Sequence, residues 1–257
     1  MTRLVHTWFM TQRQLRNLAR QPYWIAMSLM QPVIYLLLFG SLFQRVAELP
    51  GFGTGSYITY LTPGIVIMSA FFGGGWIGMT MIDDLDRGIL DRFLVTPVWR
   101  GAVVTGLLLQ LAVQILIQSL IIVGLGLLLG ARFEGGPLGV GVLLVCALLL
   151  AAAFGALSTG IALRIRKMES VIGIVNGVQL PLMFLSSVYM APNLMPVWMQ
   201  TIARYNPVNW AVEAARTAIG ANGDWVIVTS YAGLLLALSI VCSWFATRAL
   251  QSYRRSV

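Results

Sequence analysis

The chain has 257 residues, 58% of them hydrophobic and only 10% charged, with a mean hydropathy of +0.82. A soluble domain carries about 25% charged residues. This much apolar surface cannot all turn inward around one water-facing core, and the chain reads as an all-α polytopic membrane protein. The net charge of +8 does not point to nucleic acid, because the basic residues punctuate apolar runs instead of sharing one solvated face.

Residues 1–24 come first. Placed on a helix, Leu4, Trp8, Leu15 and Leu18 fall on one face and Arg13, Arg16 and Arg20 nearly opposite, the pattern of a helix lying in the membrane interface. Six runs are then apolar enough to span: Ile25–Phe43, Leu61–Ile82, Ala102–Leu129, Leu138–Leu163, Val171–Met190 and Trp225–Thr247. They fill residues 25–247 of a single transmembrane domain and leave 248–257 as a tail. Thirteen of the seventeen basic residues flank these runs on one side, and Arg45, Arg132, Arg204 and Arg216 fall on the other. The positive-inside rule then puts both termini in the cytoplasm of a multi-pass plasma-membrane protein.

The second run carries Gly73, Gly74 and Gly75 beside Phe71, Phe72 and Trp76, a place for close helix approach or local flexibility. The loop 83–100 follows. Asp83, Asp84, Asp86 and Asp91 alternate there with Arg87, Arg92 and Arg100 around Ile89, Leu90 and Phe93–Val95. Acids early and arginines late suit a short helix, stopped by Pro97. Its apolar residues exceed what a plain connector needs, so it reads as a docking helix for a cytoplasmic partner, with a solvated hairpin as the alternative.

Gln110, Gln114 and Gln118 repeat every four residues along one face of the third run. In the fifth, Asn176 and Gln179 are three apart, with Ser186 and Tyr189 towards its outer end. Amides are costly in hydrocarbon unless hydrogen-bonded. They serve either as helix–helix contacts or as a substrate-facing seam together with Phe71, Phe72 and Trp76. Residues 191–224 combine Pro192, Pro196 and Pro207 with Trp198, Ile202 and Trp210. That segment is too apolar for a free loop and too broken for a span, and short re-entrant helices fit it best.

Catalytic machinery is missing. The sole lysine, Lys167, follows Arg164-Ile165-Arg166 with no phosphate-binding glycines, and the sole histidine, His6, has no cluster of metal-ligand partners. Cys146 and Cys242 sit mid-run as small apolar residues. No acidic or basic residue interrupts a run, which argues against an ion-coupled pump. The chain resembles a conduit whose energy arrives from outside.

Three blocks carry a resemblance. Tyr60-Leu61-Thr62-Pro63-Gly64-Ile65 is similar to a Y-L-x-P-G-I motif. Gly88–Pro97, with Leu85-Asp86-Arg87 before it, resembles R-E-x-G-T-L-E-x-L-L-V-T-P. Leu185-Ser186, Pro192, Met195-Pro196, Trp198, Ile202-Ala203 and Asn206-Pro207 resemble an L-S-x-x-F-x-P-x-x-x-M-P-x-W-L-x-x-I-A-x-x-N-P block. In order and spacing these resemble the membrane subunits of type-2 ABC exporters of the drug-resistance type. Leu85 stands where that family has arginine, Asp86 and Asp91 replace glutamates, and Ile89 replaces threonine.

The resemblance implies a permease that is not itself an enzyme and binds no cofactor. Two such subunits, identical or related, would recruit two separate ABC ATPase chains that hold ATP and magnesium. Asp83, Asp84, Asp86, Arg87, Asp91, Arg92, Arg166 and Glu169 would dock on the ATPases. The in-run polar and aromatic residues would line the path, and Pro192, Pro196, Trp198, Asn206 and Pro207 would build an outer gate. The implied cargo is an amphipathic drug or a lipid-like molecule. A lipid-linked polysaccharide or teichoic-acid-type exporter, and an ATPase-independent channel or scaffold, remain the alternatives.

Overall fold

The computed structural model describes residues 12, 16, 22–43, 56–88, 101–220 and 223–253. Among these no strand forms, and eight α-helices do. They are α1 (Pro22–Leu42), α2 (Tyr57–Asp86), α3 (Gly101–Leu128), α4 (Gly136–Ile165), α5 (Met168–Phe184), α6 (Val197–Ala203), α7 (Pro207–Ile219) and α8 (Trp225–Tyr253), with a 3-10 turn at Pro192–Leu194. Helix is what apolar segments adopt when no water is present to satisfy backbone groups. Four of the eight, α2, α3, α4 and α8, carry apolar stretches of 26 to 30 residues, beyond the roughly 20 that cross a bilayer. Two more apolar helices are shorter, Ala26–Leu42 within α1 and Met168–Phe184.

The centre of the fold is α4, which packs against α2, α3, α5, α7 and α8. Its buried face is built of small residues, among them Ala147, Ala151, Gly155, Ala156, Ser158 and Gly160. Lipid tails are as apolar as leucine, so helices associate in a membrane through close van der Waals approach, and small side chains permit it.

The glycine run of α2 shows the same principle from the other side. Successive residues turn by about 100°, and each glycine meets a different helix. A Cβ on Gly73 would lie 2.9 Å from Cδ1 of Ile115 in α3. On Gly74 it would lie 2.7 Å from the Ala151 carbonyl oxygen in α4, and on Gly75 it would overlap the Gln179 amide of α5. Close packing on three sides is therefore the role of this run, and α3 and α5 reach α2 on different faces.

Two sequence expectations change. The fifth run was expected to stay helical to Met190, yet α5 stops at Phe184. Side chains from elsewhere take over the backbone groups beyond that point, as described below. Asp83, Asp84 and Asp86 do not open a short helix. Asp83, Asp84 and Asp86 complete the last turns of α2, because the first helix-breaking residue of that stretch is Gly88. The Arg87 N–H donates to Asp83 O at 3.1 Å, and Gly88 closes the end with φ of 63°. Asp91, Arg92 and the rest of that segment lie outside the described residues. Of the 1–24 segment, Gln12 and Arg16 are helical and exposed and Pro22–Trp24 open α1, and the rest lies outside the described residues.

Candidate functional site

Residues 185–191 run without regular secondary structure between α5 and the 3-10 turn, and their polar backbone groups are claimed one by one. Asn206 caps α7 by accepting from the Val208 N–H at 2.9 Å. Its amide nitrogen donates to Leu182 O at 2.5 Å and Leu185 O at 3.0 Å, carbonyls a continuing α5 would have satisfied. The Ser186 hydroxyl donates to Met183 O at 2.5 Å. Asn209 accepts the Ser187 N–H at 3.0 Å and donates to Glu213 at 2.8 Å. From α2, Tyr60 OH donates to Ser187 O at 3.0 Å and Tyr57 OH to Tyr189 O at 3.1 Å. Buried irregular backbone needs partners for its polar groups, and here a specific set of side chains supplies them.

Arg216 of α7 is the keystone. Its Nη1 donates to Ser187 O at 2.6 Å, its Nη2 to Val188 O at 2.8 Å and its Nε to Tyr60 O at 3.1 Å. The guanidinium carbon lies 3.5 Å from the centroid of the Tyr60 ring. One planar cation thus joins α7, the irregular segment and α2, which a fork of fixed donors can do and a lysine cannot. Burial of this group pushes its pKa below the ordinary value, opposed by Tyr60, Tyr57 and Glu213. Gly64 makes the approach possible, since a Cβ there would sit 2.6 Å from Val188 O and 3.1 Å from the guanidinium.

Residues 192–207 follow this irregular segment in the chain. Pro192, Pro196 and Trp198 are exposed, Asn206 is buried, and half-buried Pro207 opens α7. Tyr189 points inward, its OH 3.1 Å from Met68 Sδ and its ring 5.2 Å from that of Phe39. α6 exposes Val197, Trp198 and Ile202, and the turn after it exposes Tyr205.

The in-span polar residues separate into two groups. Gln118 donates to Ser28 of α1 at 2.5 Å and lies 3.5 Å from the Ser69 hydroxyl of α2. Gln110 on the same stripe is buried and Gln114 half-buried. On another face of α2, Gln179 donates to Phe71 O at 2.6 Å, while Asn176 is half-buried. Among the described residues, Oε1 of Gln110 and of Gln179 are buried without a hydrogen-bond partner. Phe71 is fully buried and meets Phe154 edge-on at 4.5 Å. Phe72 is half-buried and Trp76 exposed. Within one copy these residues do not converge on a common lining.

At the opposite end of the molecule, Asp83, Asp86 and Arg87 are exposed and Asp84 half-buried at the end of α2. Carboxylates at a helix C-terminus face the negative end of its dipole, an arrangement that costs about 0.3–1 kcal/mol each and that a cation would relieve. Arg166 ends α4 with φ of 56°, and Glu169 lies in the first turn of α5.

Residues 5–219 match the ABC-2 type transporter family. The chain belongs to that family. This ABC-2 chain is 30% identical, over 98% of its length and 85% of the relative's, to the daunorubicin resistance ABC transporter permease protein DrrB1 of Streptomyces coeruleorubidus. It is 25% identical, over 98% of its length and 90% of the relative's, to the probable doxorubicin resistance ABC transporter permease protein DrrC of Mycobacterium tuberculosis. A putative transport permease, ycf38 of Cyanophora paradoxa, is 27% identical over 86% of this chain and 76% of its own. The ABC-2 chain is therefore a transporter permease and not an enzyme. Sequence reasoning missed the part Arg216 plays in it, counting the residue only as one outer charge. An arginine three residues after Glu213 in an otherwise Ala-rich segment is the signal that could have singled it out.

Proposed function

We propose that this ABC-2 permease forms the membrane pathway of an ATP-driven exporter of amphipathic drugs or lipid-like molecules. The observation that carries the reading is the near full-length likeness to drug-resistance permeases, joined to long helices whose charged residues sit only near their ends, leaving apolar central stretches with no charge to drive ion-coupled transport. In this reading α1 and α5 span together with the four long helices. The 17 residues of α5 rise about 26 Å against a hydrocarbon core of about 30 Å, and residues 185–191 complete the depth. Both termini and the acidic end of α2 face the cytoplasm.

There Asp83, Asp84, Asp86, Arg87, Asp91, Arg92, Arg166 and Glu169 engage an ABC ATPase subunit, two of which serve a pair of permeases. ATP and magnesium belong to the ATPase. The unbroken helix α2 links that end to the outer cap, because Tyr57, Tyr60 and Gly64 at its other end touch residues 187–189. ATP-driven movement of α2 loosens the cap, and cargo leaves past Pro192, Pro196, Trp198, Asn206 and Pro207. Along the path, Phe72, Trp76, Gln110, Gln114 and Gln118 offer one polar-aromatic seam, and Phe71, Asn176, Gln179, Ser186 and Tyr189 line the other side of α2. The lining is completed between two copies.

Co-purification at native expression and a deletion strain together test this. The expected result is an ABC ATPase in the purified complex and raised sensitivity to amphipathic drugs in the deletion. Absence of any ATPase, with drug sensitivity unchanged, refutes the reading. A changed envelope polysaccharide with unchanged drug sensitivity would transfer the assignment to a glycan exporter.

A further inference from the structure

The C-terminal ends of α4 and α8 meet. Ser239 donates to Leu149 O at 2.7 Å, and further along both helices a Cβ on Gly160 would lie 2.6 Å from Cε1 of Phe245, so the two helices run in the same direction. Ser158 of α4 faces α2 and Gly155 faces α2 and α3, whereas Gly160 faces α8. Arg164, one turn beyond Gly160, shares the α8 side. Its guanidinium carbon lies 5.0 Å from the centroid of the Phe245 ring. Arg248, one turn beyond Trp244, lies 4.6 Å from the centroid of that indole. Both arginines are exposed, as is Lys167 just past the end of α4.

The outward face of α8 has an ordered chemistry. Ile240 and Val241 are 61% and 60% exposed and Trp244 is 59% exposed, and Arg248 follows at the next turn of the same face. Aliphatic, then indole, then guanidinium is the order in which a bilayer passes from acyl chains through its interface to its headgroups. Stacking holds each guanidinium by its face and leaves the N–H edges for phosphate oxygens, which arginine binds bidentately. The carbonyl end of α4 favours cations at this corner, and the carboxylate next along the chain is Glu169 in α5.

We propose that Arg164, Phe245, Trp244 and Arg248 form a binding site for an anionic phospholipid, with the phosphate held between the two arginines and an acyl chain along Ile240 and Val241. A second copy fits this face poorly, because an isologous contact would set like arginines against each other. A cytoplasmic protein would meet Arg248 but not the aliphatic residues a turn or two deeper. The site requires α8 to span the membrane and is independent of the cargo and of the ATPase.

The full chain, purified in neutral detergent, would be titrated with phosphatidylglycerol and phosphatidylcholine of matched acyl chains and examined by native mass spectrometry. Wild type is expected to retain phosphatidylglycerol preferentially. Arg164→Gln with Arg248→Gln should weaken that binding about 25-fold, about fivefold for each arginine, and leave phosphatidylcholine unchanged. The single variants, the charge-retaining Arg164→Lys with Arg248→Lys pair, and Arg204→Gln at the far end keep the comparison valid should the double glutamine variant fold poorly. The lysine pair should recover most of the affinity, and Arg204→Gln all of it. Equal retention of both lipids by wild type, or unchanged phosphatidylglycerol binding in the glutamine variants, overturns the proposal. So does complete displacement of the lipid by inorganic phosphate. A glutamine variant that alters oligomeric mass or sheds a co-purifying protein, while keeping its phosphatidylglycerol, would show a protein interface and also overturn it.

Discussion

Replacing Arg216 with methionine preserves much of the side chain's volume and removes every donor. Val188 O then loses the guanidinium at 2.8 Å. Ser187 O keeps only Tyr60 OH at 3.0 Å, and Tyr60 loses its stacked cation. An orphaned buried carbonyl costs about 1–3 kcal/mol, and a hydrogen bond from a charged donor contributes about 1.5–3 kcal/mol. Against these stands the relief of no longer desolvating a cation, itself worth several kcal/mol. The net weakening of the cap should be about 2–4 kcal/mol, which is about 30- to 1000-fold in its open–closed equilibrium.

Val188 is fully buried, so a cysteine placed there reports that equilibrium through its rate of labelling by a membrane-impermeant maleimide. The native cysteines, Cys146 and Cys242, are both buried and give a low background. Arg216→Met should raise the Val188→Cys labelling rate by at least about thirtyfold without ATP, and Arg216→Lys, a point charge in place of a fork, by less. A rate within about twofold of the parent in both variants would refute the keystone role.

Gly75→Ala should lower thermal stability by about 1–3 kcal/mol through overpacking, because the new methyl overlaps the Gln179 amide. Adding Gln179→Ala should recover part of that loss, and a double-mutant cycle by thermal unfolding checks the coupling. Gln118→Leu removes the bond to Ser28 and should cost about 1 kcal/mol in the same assay, with a larger loss of transport than of stability if the α3 stripe meets cargo. Asp83→Asn, Asp84→Asn and Asp86→Asn combined should leave membrane insertion intact and abolish retention of the ATPase in pull-downs. Retention at the parental level would remove the end of α2 from the docking surface.

Periodicity and hydropathy made the helical architecture legible, since an apolar run of adequate length has few other states open to it in lipid. The glycine run at 73–75 was visible as a place of close approach, but not that its members serve three different helices, because assigning each one requires knowing which neighbours surround α2. The early stop of α5 was invisible for a related reason. Locally, Leu185–Met190 continues an apolar run, and what ends the helix is Asn206, Asn209 and Arg216 arriving from 20 to 30 residues later in the chain. Pattern reading placed Asp83–Asp86 at a loop entrance because charge usually marks the end of a span. The backbone had no breaker before Gly88, and the helix continued. The amide stripes of α3 and α5 were recognisable as polar faces, while their separation by α2 depends on packing that no single segment encodes.

The most direct test of the account is transport by the purified permease in sealed vesicles, with and without its co-purified ATPase. Accumulation of a fluorescent amphipathic dye against its gradient is expected only when the ATPase, ATP and magnesium are all present, and it should stop when Asp83, Asp84 and Asp86 are replaced by asparagine. Uphill movement of the dye by this chain alone would contradict the account at its foundation.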